Sequence, residues 1–139
     1  MVDQPVVQEK LAHILQQLQL LQSKQGVAFE QFRDSAELQY LILHALQLAI
    51  QGCLDVASHI IADERLEVAT AWKNLFEVLT RHRVLPGELV EPMASWAQLR
   101  NAIVHGYVSL DLRVAYEAWH NRLSEIERFC QAIKRYAKL

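Results

Sequence analysis

The sequence predicts an all-α fold, an antiparallel bundle of four or five helices. Hydrophobic residues make up 52% of the 139 residues, whereas Gly and Pro number only 4 and 3, a composition that favours long helices over strands and turns. Apolar positions also recur every three or four residues almost from end to end, which is the helical period. Because no repeat or low-complexity linker interrupts this pattern, we expect one helical domain over residues 1–139.

The first half of the chain predicts two helices. One begins near Pro5, a residue tolerated in a first helical turn, and ends before Gly26. Asp34 and Glu37 have the spacing of a capping box and predict a long helix over residues 35–62. This second helix is apolar around much of its circumference, so we expect it at the centre of the bundle.

The second half of the chain predicts three more helices. They span residues 69–82, residues 88 or 92 to 105, and a last continuous helix that starts after Ser109 or Asp111. Pro86-Gly87 marks the turn before the fourth helix, and Gly106 is well placed to end that helix. Helical spacing puts Trp72, Trp96 and Trp119 on inward faces, where core or dimer packing is their expected role.

Charge and targeting features predict a soluble cytoplasmic protein without a membrane partner. The net charge is −2, yet residues 100–139 carry seven Lys or Arg against four Asp or Glu, a modest basic region that suits a phosphate. Cys53 and Cys130 have apolar neighbours and are expected to be buried free thiols in a reducing compartment, with a bridge between them as the alternative. We expect no signal peptide, and the most apolar stretch, residues 40–50, is too short to span a bilayer.

Residues 100–107, Arg-Asn-Ala-Ile-Val-His-Gly-Tyr, carry the clearest chemistry of the chain. Arginine suits a phosphate, histidine suits proton transfer near neutral pH, and a tyrosine can bind or be modified, so the segment suggests chemistry on RNA. Asn101 and His105 share a helix face, whereas Arg100 and His105 are offset by about 140°. A two-fold dimer would bring two copies of the segment together. The structural alternative places His105 at a helix C-terminus and Arg100 in a surface ion pair.

The pattern Arg100-Asn101-x3-His105-x-Tyr107 resembles the R-x4-H-x-Y signature of the HEPN superfamily, specifically the HepT-like toxins of HEPN/MNT toxin–antitoxin pairs. Residues 44–61 resemble the long second helix of that family, and residues 108–116 resemble the start of its last helix. The resemblance extends over roughly residues 35–120 and follows the order of the family along the chain.

The resemblance implies a metal-independent endoribonuclease toxin that works as a homodimer and cleaves RNA through the ribose 2′-OH, with no cofactor and no DNA partner. His105 would act as general base or acid, Arg100 would stabilise charge on the phosphorane, and Asn101 would position the imidazole or the phosphate. A minimal nucleotidyltransferase antitoxin would add AMP to Tyr107 and block the cleft. The alternatives are a non-catalytic subunit that binds nucleotide or substrate for a nucleotidyltransferase, and a structural dimerisation domain.

Other polar residues allow more than one interpretation. Asp55, His59 and Asp63 stand four apart on one helix face, and such a row is usually a polar edge; a metal site and, for Asp55 and His59, a second wall of the RNA cleft are the alternatives. His44 lies on the same apolar helix and is expected to be a hydrogen-bonded core residue. The run Arg81-His82-Arg83 favours a solvated loop over a contact with RNA or with an acidic antitoxin surface.

Overall fold

The computed structural model describes residues 2–69, 71–106 and 110–139, and within these ranges the chain forms helices and no strand. The α-helices are α1 (Gln4–Ser23), α2 (Phe29–Asp34), α3 (Ala36–Asp63), α4 (Trp72–Arg81), α5 (Val90–Val104), α6 (Leu112–Asn121) and α7 (Leu123–Ala137), and one 3₁₀ turn (Gly87–Leu89) precedes α5. The predicted all-α bundle is therefore confirmed.

Helix α3 is the central element, as its apolar circumference predicts. Twelve of its 28 residues are buried, and it packs against α1, α4, α5 and α7. Gly52 permits the close approach of α1, because a Cβ at this position would lie 2.6 Å from Cγ1 of Ile14. By length and composition α3 also passes as a candidate membrane span, with 61% of the relevant window buried inside the bundle. Burial of this extent is what the core helix of a helical bundle requires.

Two features of the first half differ from the sequence prediction. Helix α2 was not predicted, because its six residues are too short to show a helical period. It ends next to the cap of α3, where the Ser35 hydroxyl accepts a hydrogen bond from the Leu38 N–H at 3.2 Å. The predicted cap, Asp34, instead forms an exposed ion pair with its neighbour Arg33 at 2.8 Å. The capping signal was therefore correct in kind and misplaced by one residue.

The predicted continuous last helix is wrong, because it is two helices that meet at Arg122. The backbone leaves the helical region at that residue, with φ −126° and ψ 5°. Its guanidinium donates to Glu125 at 2.9 Å and to the Ser95 hydroxyl at 3.3 Å, and lies 5.1 Å from the Trp96 ring centroid. The break is stabilised by contacts with α5, and no glycine or proline at this position indicates it in the sequence.

Two side chains that the sequence places in the interior, Trp72 and His44, are exposed in the structure. Trp96 and Trp119 are buried as expected, but Trp72 is 38% exposed because it begins α4 ahead of the apolar stripe of that helix. His44 is exposed on α3 and is not the hydrogen-bonded core residue that the sequence suggested. Its position one turn from Tyr40 and Leu41 places it on the face of α3 that α1 and α5 leave uncovered.

Candidate active site

Arg100 and Asn101 lie near the C-terminal end of α5 and contact each other. The Arg100 guanidinium donates from Nη1 to Oδ1 of Asn101 at 3.1 Å. The Nε–H of Arg100 is buried and has no hydrogen-bond partner among the residues that the structure describes. An unsatisfied buried donor is costly, and guanidinium groups bind carboxylates and phosphates through several N–H groups at once. This arginine is thus fixed at one edge and has donor capacity left for an anion.

His105 follows α5 as its C-cap residue. Its backbone N–H donates to the carbonyl oxygen of Asn101 at 3.0 Å, and its side chain is exposed. Its imidazole makes no hydrogen bond to any residue of the described ranges. Gly106 then ends the helix with φ +91°, a conformation that L side chains rarely adopt. The His105 imidazole therefore stands exposed at the C-terminal end of α5.

The structure brings only part of the predicted set together within one chain. Asn101 contacts Arg100, and the predicted alternative, in which Asn101 orients the His105 imidazole, has no hydrogen bond to support it among the described residues. Tyr107 and Ser109 lie outside the described residues. The next helix, α6, is capped by Asp111, whose carboxylate accepts from the Arg113 N–H at 2.9 Å.

A groove of about 660 Å³ lies beside the end of α5. Ile103 of α5 lines it together with Tyr40, Leu41 and His44 of α3, and the second half of α1 closes the other side. Tyr40 is 70% exposed and Leu41 is 37% exposed, so the rim is apolar and open to solvent. This surface was not predicted from the sequence, because the apolar turns of α3 were all assigned to the core. The signal available was that Tyr40, Leu41 and His44 share one face at helical spacing.

Asp55 and His59, the predicted second wall of the cleft, line a different part of the monomer. Asp55 accepts a hydrogen bond from Gln51 Nε2 at 2.8 Å and borders a groove of about 480 Å³ between α3 and the first half of α1. His59 lies 3.5 Å from Oδ2 of Asp63, at ion-pair distance but without a hydrogen bond. Eleven residues separate Asp55 from His44, which is about 16 Å along a helix. Within one chain, neither side chain reaches the groove at the end of α5.

The described residues contain no group of three or more His, Cys, Asp or Glu side chains that could hold a metal ion. Cys53 and Cys130 are free and buried. Burial raises the pKa of the Cys53 thiol well above its ordinary value and raises the pKa of Cys130 to about 12. Both thiols are therefore protonated at neutral pH and are poor nucleophiles.

A helical bundle with an arginine and a histidine at the exposed end of one helix is the arrangement expected of an HEPN-type nuclease domain. The family model of the ribonuclease HepT-like proteins matches residues 14–133. The match spans most of the chain, and the chain belongs to the ribonuclease HepT-like family. The predicted enzyme class, an HEPN ribonuclease, is thereby confirmed.

Two relatives are named for the RNA on which they act. The mRNA nuclease HepT of Shewanella oneidensis is 26% identical over 129 residues, which are 93% of this chain and 96% of the relative. The tRNA nuclease HepT of Aphanizomenon flos-aquae is 24% identical over 137 residues, which are 97% of this chain and 92% of the relative. Because the two identities are nearly equal, they do not select between the two RNA substrates.

A solved structure supports the same fold along the whole chain. It is described as a tri-AMPylated HEPN toxin of Shewanella oneidensis in complex with an MNT antitoxin. Its toxin chain has a TM-score of 0.85 and 26% identity to this chain, with 97% of this chain and 99% of that chain covered. The helices and their order are therefore those of an HEPN toxin.

Proposed function

We propose that this chain is the ribonuclease toxin of a toxin–antitoxin pair and that it cleaves RNA without a metal ion. The observation that carries this proposal is the end of α5, where an exposed imidazole and an arginine with an unsatisfied buried N–H stand within six residues. A titrating side chain and a permanent cation are what transesterification of a phosphodiester requires. A subunit that only binds nucleotide has no need of the imidazole.

The reaction uses the ribose 2′-OH as its nucleophile. His105 of one copy takes the 2′-OH proton as the 2′-oxygen bonds to phosphorus, and the P–O5′ bond breaks as the leaving oxygen receives a proton. The products are a 2′,3′-cyclic phosphate and a 5′-OH. Arg100 stabilises the negative charge that develops on the phosphorane oxygens, and Asn101 holds the guanidinium in place for this role.

A homodimer completes this site. The base and the acid act on opposite sides of the phosphorus, and a single chain offers one His105 imidazole. Around the end of α5, the apolar side chains of Tyr40, Leu41 and Val104 are 70%, 37% and 41% exposed. Contiguous exposed apolar residues mark association surfaces, and two-fold packing on this face would bring two copies of His105 towards one cleft.

The catalytic proposal is tested with purified protein and a short single-stranded RNA in the presence of EDTA. We expect cleavage without added metal and product strands that end in 2′,3′-cyclic phosphate. Arg100→Ala protein, purified in parallel, is the control for contaminating ribonuclease and should be inactive. Activity that disappears in EDTA and returns with Mg²⁺, or equal activity in the Arg100→Ala preparation, would contradict the mechanism.

The dimer is tested by charge substitution on its proposed face. Leu41→Lys should convert a dimer into a monomer in sedimentation experiments and should lower RNA cleavage. Val68→Lys is the matched control, since Val68 is an apolar residue with 90% exposure on the connection between α3 and α4. A wild-type protein that sediments as a monomer at micromolar concentration while fully active would overturn the shared cleft.

The antitoxin is proposed to be a minimal nucleotidyltransferase that adds AMP to Tyr107. This assignment is supported by the relative described as a tri-AMPylated HEPN toxin with an MNT antitoxin and by the position of Tyr107 two residues after His105. Each AMP brings a negative charge and a bulky base close to the imidazole, which would repel or exclude RNA. The free buried thiols fit the reducing cytoplasm, where we place both proteins.

Intact-mass spectrometry tests the modification after incubation with ATP and a purified minimal nucleotidyltransferase. We expect mass increases in multiples of one AMP unit and a parallel loss of RNA cleavage. Tyr107→Phe should remove the adducts, and Tyr116→Phe serves as a control at a tyrosine that the structure describes. The same adducts on wild-type and Tyr107→Phe protein would show that another residue is modified.

A further inference from the structure

A groove of about 220 Å³ lies between α5 and α6. It is on the other side of α5 from the proposed dimer face, which consists of Tyr40, Leu41 and Val104. Ala102 lines the groove, and it is two residues from Val104 and therefore about 200° away around the helix. Two-fold packing on the dimer face thus leaves the α5–α6 groove open to a ligand.

The groove leads along α5 to the exposed imidazole of the candidate active site. Gln98 lines the groove and is seven residues before His105, so the two share one face of the helix and are about 10 Å apart along its axis. Ala102 lies between them, one turn before His105. A stacked nucleic acid strand advances about 3.4 Å per nucleotide. The nucleotides that flank a phosphate bound at His105 therefore lie within reach of this groove.

The walls of the groove are apolar. They are formed by Leu99 and Ala102 of α5, by Leu110 before α6, and by Val114 and Ala118 of α6. Val114 is 53% exposed, so a β-branched apolar side chain stands open to water, and a ligand that covers it gains free energy. The volume is below the roughly 300–1,000 Å³ of pockets that hold drug-sized ligands. The groove therefore suits a single flat ring system.

The polar groups that line the groove favour an uncharged base over a phosphate. Gln98 is exposed, and its amide makes no hydrogen bond to another residue of the described ranges, so it offers a donor and an acceptor to the edge of a base. Asp111 brings a negative charge, which repels a phosphate and can accept from a base amino group. Arg122 is already engaged, since it pairs with Glu125 at 2.9 Å and donates to Ser95 at 3.3 Å.

We propose that the α5–α6 groove binds one base of the RNA strand, from a nucleotide that flanks the cleaved phosphodiester, and that Gln98 hydrogen-bonds to the edge of this base. The proposal rests on the proposed ribonuclease function, because the position of the groove beside His105 assigns its ligand. The apolar walls contact the faces of the base, and the sugar–phosphate backbone stays outside. The groove thereby gives the enzyme a base preference, which the catalytic side chains alone do not provide.

The first test measures binding and needs no cleavage. The probe is a short labelled RNA that is methylated on every ribose 2′-oxygen and so has no nucleophile for the reaction, and matched probes carry one abasic nucleotide at successive positions. We expect wild-type protein to bind the intact probe about tenfold more tightly than one of the abasic probes, the equivalent of burying one apolar side chain. Equal affinities, or no measurable binding, would overturn the proposal.

Two alanine substitutions on α5 connect this difference to the groove. Ala102→Leu fills the groove and should bind the intact and abasic probes equally. Ala94→Leu is the matched control, since Ala94 is also half-buried on α5 and does not line the groove, and it should keep the wild-type difference. A tenfold difference that persists in Ala102→Leu would show that the base binds elsewhere.

The second test measures cleavage of RNAs that keep a single unmethylated 2′-OH, with the base on each side of it varied. We expect kcat/KM of wild type to differ by about fivefold between the best and the worst base, the effect of one hydrogen bond. Gln98→Ala should remove this preference, and Gln8→Ala, at an exposed glutamine of α1, should keep it. An unchanged preference in Gln98→Ala would contradict its role. Base-dependent binding in the first test without any cleavage here would support the groove and overturn the catalytic proposal alone.

Discussion

The end of α5 and the corner between α6 and the α1–α2 connection, residues 24–28, each contain a histidine with other polar side chains. The two regions differ in whether those side chains have hydrogen-bond partners within the fold. At the α6 corner, Tyr116, Trp119 and His120 all have their polar atoms paired with backbone carbonyl oxygens at 2.7–3.1 Å. At the end of α5, the His105 imidazole is exposed and makes no hydrogen bond within the described residues, and the Arg100 Nε–H is buried without a partner in them.

This difference distinguishes side chains that stabilise the fold from side chains that are available to a ligand, although their functional groups are the same. Side chains that are satisfied inside the fold have no capacity left for a substrate, and they stabilise the bundle. Unsatisfied groups cost stability and are retained where a ligand completes them. Residue type alone does not identify the site, since Arg113, Tyr116 and His120 offer the same functional groups as the signature segment and are already engaged.

Replacing either His105 or His120 by alanine gives the largest expected effects, on RNA cleavage for one and on stability for the other. His105→Ala should lower RNA cleavage by about 10²–10⁴-fold, the usual contribution of a general acid or base, with the free energy of unfolding unchanged because the side chain is exposed. His120→Ala should do the reverse, since it removes a ring that lies within 3.0 Å of two backbone carbonyl oxygens, at a cost of about 1–3 kcal/mol, and lies outside the proposed catalytic site. Cleavage assays and urea unfolding of both variants check this. Loss of activity in His120→Ala at full stability would remove the distinction between the regions.

Truncation of a tryptophan measures how firmly the α6 corner is packed. Trp119 is fully buried and its indole N–H donates to the Leu21 carbonyl oxygen at 2.7 Å. Trp119→Ala should therefore lower the free energy of unfolding by about 3–5 kcal/mol. Trp72→Ala is the matched control at 38% exposure and should cost much less. Similar losses in the two variants, measured by urea unfolding, would mean that the corner contributes no more than the surface.

Asn101→Ala tests how the guanidinium is held at the end of α5. The side chain accepts from Arg100 Nη1, so its loss should free the guanidinium and lower cleavage by roughly tenfold, the effect of one hydrogen bond to a charged group. In an Arg100→Ala background the same substitution should have little further effect, since the two residues act as a unit. If Asn101→Ala shifts the pH profile of cleavage and the losses in the double variant are additive, Asn101 instead orients the His105 imidazole.

The smallest expected effect concerns the backbone that ends α5. Gly106 has φ +91°, and a Cβ there would meet no atom of the described residues within 4 Å, so the expected cost of Gly106→Ala is conformational, about 1 kcal/mol. Gly26→Ala is the control, since Gly26 has equal space and no such φ. Thermal unfolding compares them. If Gly106→Ala leaves the unfolding temperature unchanged, the end of α5 tolerates a different backbone direction.

Much of the fold and the position of the candidate site within it could be predicted from local signals. The period of apolar residues located α1, α3, α4 and α5, and the glycine after His105 placed the signature segment at a helix end. Helix α2 and the break at Arg122 escaped prediction because one is too short for a period and the other depends on contacts with Ser95 and Trp96. The catalytic roles of Arg100, Asn101 and His105 stay predictions until the variants are assayed.

By itself, the sequence determined the helical class, the central helix and the segment in which to look for chemistry, because these depend on residues three to seven positions apart. Only the tertiary structure decided which polar groups are already satisfied. His120 finds its second carbonyl oxygen 95 residues away at Gln25, whereas the exposed His105 has no such partner in the described chain. His44 and Trp72 likewise depend on which helix faces meet. Whether a polar side chain is available to a ligand depends on residues distant in the sequence, and the helical period of apolar residues does not indicate which residues those are.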